Sequence, residues 1–109
     1  MNQVFADTAY WIALLDPGDD LHDRAVTAEA SLGQCPLVTT EEVLTEFFNY
    51  FSDFGSRSRQ AVWEASESLF RNPRVHIRPQ THDSFRAGVG RYHRRPDKSY
   101  SLTDCISMN

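Results

Sequence analysis

A chain of 109 residues that is 40% hydrophobic, 12% aromatic and 24% charged has the apolar content of one globular domain, spanning residues 1–109, and not that of a disordered segment. Its two cysteines, Cys35 and Cys105, form no C-x-x-C pair, which argues against a disulfide framework or a zinc ribbon. The net charge of −4 conceals a division: residues 1–56 hold ten acids against Arg24 alone, whereas residues 57–109 hold ten bases against five acids.

Val4-Phe5-Ala6 reads as a short strand ended by Asp7-Thr8, and Ala9 to Leu15 as a helix before the turn Asp16-Pro17-Gly18-Asp19. A second helix spans His22 to Leu32, with acids near its start and a stop at Gly33. After Pro36, the β-branched run Leu37-Val38-Thr39-Thr40 reads as a strand, and Glu41 opens the strongest helical pattern of the chain. There Val43, Leu44, Phe47, Phe48, Phe51 and Phe54 recur at helical spacing, and Gly55-Ser56 ends the run. A further helix is expected from Ser58 to Phe70, up to the break at Asn72-Pro73. Val75-His76-Ile77-Arg78 alternates as a strand, and Pro79-Gln80-Thr81 opens a helix through Phe85, Val89 and Tyr92, weakened by Gly88 and Gly90. His93 to Lys98 reads as a loop, and Ser101-Leu102-Thr103-Asp104 as a capping box starting a final helix. The order β-α-α-β-α-α-β-α-α requires parallel pairing and predicts a layered α/β fold.

In such sheets reactive groups gather at the carboxyl ends of the strands, and Asp7 ends the first one. A carboxylate there needs a cation, a cradle of hydrogen bonds or a metal; capping the next helix is the plainer alternative. Glu46 lies at the border of the Val43–Phe47–Phe51 stripe, facing a cleft or a solvated flank, while Glu42 points nearly opposite the stripe. Asp104 stands where an acid can satisfy a helix cap and nothing more.

Three segments, Val4 to Asp16 with its D-T-x-x-W-I core, Thr39 to Glu46 with T-T-E-E-V-L-T-E, and Asp97 to Ser107 with L-T-D-C, closely resemble the PIN domain, especially its VapC-like branch of type II toxin ribonucleases. The resemblance implies a three-layer α/β/α fold with a parallel sheet, and a metal-dependent endoribonuclease in which Asp7, Glu46 and Asp104 hold Mg²⁺ or Mn²⁺. It further implies hydrolysis of RNA phosphodiester bonds to 5′-phosphate and 3′-hydroxyl ends, a cognate antitoxin and a homodimer. Thr8 and Thr103 are candidates to orient acids or waters, and Asp97 has a supporting role. Family members continue beyond the L-T-D-C helix into a strand-helix-strand portion that carries a fourth acid. The expectation here is therefore a C-terminally truncated domain, and the alternative function is an impaired remnant that binds RNA or an antitoxin without cleavage.

Ten of the eleven basic residues are arginine, whose planar fork suits phosphate. Arg94, Arg95 and Lys98, which flank the Asp97 to Asp104 segment, are the RNA-contact candidates. No histidine or cysteine pair has zinc spacing, and neither a G-x-S-x-G elbow nor a glycine-rich phosphate loop occurs. Nothing resembles a signal peptide or a span of ~20 apolar residues, so a cytoplasmic protein without a membrane partner is expected.

Overall fold

The computed structural model describes residues 3–94. Three strands, β1 (Val4–Phe5), β2 (Leu37–Thr40) and β3 (Val75–Arg78), alternate with five helices: α1 (Thr8–Leu15), α2 (His22–Leu32), α3 (Glu41–Tyr50), α4 (Ser56–Arg71) and α5 (His82–Arg94). The strands pair in parallel in the order β1-β2-β3, with Val4 opposite Leu37 and Leu37 opposite Val75. These are the first eight elements expected from the sequence, in an α/β fold. The ninth, the helix opened by Ser101, lies outside the described residues.

β2 is the centre of the sheet. All four of its residues are buried, as a parallel strand must be when helices cover both faces. Around it Ala6, Trp11, Leu37, Val43, Leu44, Phe47, Phe51 and Val62 form one core. Phe47 is 2% exposed and meets Phe51 edge-on at 5.6 Å between ring centroids; replacing such a ring by alanine costs about 3–5 kcal/mol.

The strand-to-helix junctions are made by side chains that satisfy the free amides of a first helical turn. Asp7 caps α1, and Thr40 caps α3 by accepting from the Val43 amide at 3.1 Å. At α5, Thr81 and Ser84 exchange hydrogen bonds: the Ser84 amide donates to Thr81 Oγ1 at 3.0 Å and the Thr81 amide to Ser84 Oγ at 3.1 Å.

Two local expectations are corrected. The pattern through Phe54 overruns α3, which stops at Tyr50. Beyond it the amides of Phe51, Ser52 and Phe54 bond the carbonyls three residues back, and the Ser52 hydroxyl occupies the Phe48 carbonyl. The tighter winding turns Phe54 outward to 53% exposure, while Phe48 is 37% exposed, so neither belongs to the core stripe. His93 and Arg94 belong to α5 and not to a loop. That helix runs through Gly88 and Gly90, the first of them buried.

Candidate active site

The carboxyl edge of the sheet carries two acids on adjacent elements. Asp7 follows β1 in extended conformation (φ −91°, ψ 179°), and its Oδ1 accepts the Tyr10 amide at 2.9 Å. The capping alternative is therefore real, but it engages one carboxylate oxygen. Glu46 lies one turn inside α3, and Thr8, the first residue of α1, stands between the two helices. The Thr8 hydroxyl is 3.4 Å from Glu46 Oε2 and 3.5 Å from the Val43 carbonyl. Both contacts are long, and one hydroxyl proton serves one acceptor at a time. Thr8, the residue next to Asp7, thus links α1 with Glu46 of α3. Among the described residues neither Asp7 nor Glu46 has an ion-pair partner.

Glu42 corrects the helical-wheel reading. It is buried, at 7% exposure, although it points away from the stripe that packs on the core. α3 starts directly from the central strand, so its first turn is covered from more than one side, which a wheel with one apolar face does not represent.

The remaining candidates separate by position. Arg94 is exposed on the last turn of α5, and its guanidinium folds back over Gly90, where an added Cβ would lie 3.0 Å from Nη1. It makes no bond to Asp7, Thr8 or Glu46. Arg95, Asp97, Lys98, Thr103 and Asp104 lie outside the described residues. Among the described residues no group of three histidines, cysteines or acids stands close enough to hold a metal.

A different acid is fully engaged. Glu29 of α2 accepts from the Tyr10 hydroxyl and from Arg74 Nη1, and Arg74 Nε donates to the Cys35 carbonyl at 2.6 Å. Burial alone would raise the Glu29 carboxyl, but the hydrogen bonds from Tyr10 and Arg74 and the Arg74 charge outweigh it and hold the group below its ordinary value. Burial first, then the bond to Glu29, pushes the Tyr10 hydroxyl above its ordinary range, so it remains a donor. Nothing in the sequence pairs these three residues. They stand 19 and 45 positions apart in their bonds, and only the Arg excess hinted that one arginine would be internal.

Thr39 was also missed. It reads as a β-branched strand residue, yet it is wholly buried and its hydroxyl accepts from the Trp11 indole at 3.1 Å while donating to the Ala6 carbonyl at 2.9 Å. The available signal was a polar residue in the middle of an apolar strand, since a buried hydroxyl needs partners.

No protein-family model and no curated protein matches the chain. Among solved structures it is similar to the crystal structure of Mycobacterium tuberculosis VapC20, a Sarcin-Ricin loop cleaving toxin, with a TM-score of 0.81 and 26% identity over 96% of this chain and 78% of that one. The parallel sheet flanked by helices, the acid at the end of its first strand and this likeness agree: the chain has the fold of a VapC-like PIN domain.

Proposed function

We propose that the chain is a metal-dependent endoribonuclease of the VapC type that hydrolyses RNA phosphodiester bonds. The observations that support this reading are Asp7 at the end of β1, the hydroxyl of the adjoining Thr8 at 3.4 Å from Glu46 Oε2, and the lack of an ion-pair partner for either acid among the described residues. Asp7 is exposed and Glu46 half-buried, so neither carboxylate is sealed from a cation in solvent. Their donor set is all oxygen, which suits a hard cation such as Mg²⁺ or Mn²⁺ that takes one or two carboxylates and retains waters.

Asp7 and Glu46 would hold the ion together with Asp104, which the motif resemblance supplies. When bound, such an ion lowers the pKa of a coordinated water and neutralises charge on the phosphate. The chain's own part is positional. The Tyr10 amide engages one oxygen of Asp7 and leaves the other free of that bond, Thr8 would steady Glu46, and the buried β2 strand supports the edge. Thr103 and Asp97 would support the third acid, and Arg94, Arg95 and Lys98 would contact the phosphodiester backbone. Because the similar toxin cleaves the Sarcin-Ricin loop, a structured ribosomal hairpin is the first RNA to test. A cognate antitoxin and a homodimer complete the proposal, and the cytoplasm is its setting. Among the described residues no helix is long and apolar enough to cross a membrane.

The test is incubation of the purified chain with total cellular RNA and a Sarcin-Ricin hairpin in Mg²⁺ or Mn²⁺, beside EDTA and the Asp7→Asn variant. Metal-dependent cleavage lost in the variant is expected. A folded chain that never cleaves would move the function to binding without catalysis.

A further inference from the structure

The backbone around Asp7 is closed into a ring by side chains. The Ala6 amide donates to the Val38 carbonyl at 2.8 Å, and the Ala6 carbonyl accepts the Thr39 hydroxyl at 2.9 Å. The same Thr39 oxygen accepts the Trp11 indole N–H at 3.1 Å, and the Trp11 amide donates to the Asp7 carbonyl at 3.3 Å. From Ala6 through Asp7 and Trp11 to Thr39 and back to Ala6, every link is a covalent or hydrogen bond; the Asp7 backbone is one link of the ring, and its residue is exposed. Ala6 is 2% exposed, Trp11 4% and Thr39 0%. Water cannot readily replace the hydroxyl, and the low local dielectric strengthens the chain of bonds. Only a residue that donates and accepts through one small atom can fill this position: valine offers neither function and serine both.

We propose that Thr39 is a positioning residue for Asp7, acting through the Ala6 carbonyl and the Trp11 indole to set the direction of the carboxylate toward a divalent cation. The proposal rests on the reading of Asp7 as a metal-binding acid. β2 contributes no acid of its own, so its part in the site is to lock the neighbouring strand's corner from inside the core. Losing an outer partner of a metal ligand typically costs 10–100-fold in metal affinity or activity, without removing any group that touches RNA.

The experiment compares wild type, Thr39→Val, Thr39→Ser and Asp7→Asn by two readouts: Mn²⁺ binding followed by electron paramagnetic resonance, and kcat and KM for cleavage of the RNA hairpin. Circular dichroism confirms folding of each variant. Thr39→Val is expected to weaken Mn²⁺ binding about tenfold and to lower kcat by about 10–100-fold, with KM changed less than about twofold. Thr39→Ser is expected to restore both. A purely structural threonine would instead lower thermal stability and leave kcat and Mn²⁺ affinity per folded molecule at the wild-type level, which overturns the proposal. Should Thr39→Val not fold, Trp11→Phe frees the hydroxyl from its other partner. A loss of Mn²⁺ affinity in that variant supports the lock, and wild-type affinity overturns it. The underlying reading fails separately: if Asp7→Asn cleaves and binds Mn²⁺ as wild type does, Asp7 is no ligand and the lock falls with it.

Discussion

The two ends of the parallel sheet treat acidic residues in opposite ways. At the amino ends of β2 and β3, Glu29 is met by Arg74 and by the Tyr10 hydroxyl, and Arg74 also satisfies the Cys35 carbonyl. At the carboxyl ends, Asp7 accepts the Tyr10 amide and Glu46 the Thr8 hydroxyl, and neither has an ion-pair partner among the described residues. The first arrangement is what a fold does to stabilise itself. The second leaves Asp7 exposed and Glu46 half-buried, with solvent as their alternative partner, so both carboxylates stay open to a positively charged ligand. Tyr10 joins the two regions, its amide donating to the Asp7 cap and its hydroxyl to Glu29.

The sharpest way to test this contrast is to neutralise each acid in turn. Asp7→Asn is expected to lower RNA cleavage by about a thousandfold, an effect of the size seen when a group that stabilises the transition state is removed. Asparagine caps helices as well as aspartate does, so urea unfolding of the same variant should move by less than about 0.5 kcal/mol. Glu46→Gln should behave alike. If either variant loses stability and keeps activity, the contrast is inverted.

At the other end the expected outcome reverses. Arg74→Met strips Glu29 of its cation and leaves the Cys35 carbonyl without its donor. A fully buried pair broken this way costs about 3–5 kcal/mol, and since the Glu29 side chain keeps 29% exposure a loss of about 2 kcal/mol in urea unfolding is expected. Cleavage per folded molecule should be unchanged.

A smaller effect is expected at Thr8. Thr8→Val removes the hydroxyl that faces Glu46 and should lower kcat about tenfold, with Thr8→Ser close to wild type in the same cleavage assay. The smallest effect is on pH dependence. Glu29 is held below its ordinary value, near 4.5, so its contribution to stability is complete above about pH 5 and is lost as pH falls through the lowered folded value. Tm measured between pH 5 and 3 should drop in wild type with an increment that Glu29→Gln lacks. At the alkaline end the raised Tyr10 hydroxyl gives the opposite sign: its contribution is complete below pH 10 and declines as pH rises further.

The eight described elements follow the chain order that periodicity and turn residues predict, because strand and helix periods are local properties of the side-chain pattern. Asp7 and Thr8 were readable for the same reason, as a polar pair ending an apolar strand, and Glu46 through the motif it shares with a known family. The end of α3 was not readable, since a phenylalanine at helical spacing, Phe54, does not reveal that Ser52 will take a carbonyl from the helix. Nor was the burial of Glu42, which depends on what covers the β2–α3 junction.

The order of elements, the parallel sheet they demand and the position of Asp7 at a strand end are thus consequences of spacing along the chain. The Thr39 ring around Asp7, the Tyr10–Glu29–Arg74 network and the meeting of Thr8 with Glu46 are not. Each joins residues 19 to 45 positions apart. Which polar groups find each other across such distances is settled when burial removes water as the alternative partner.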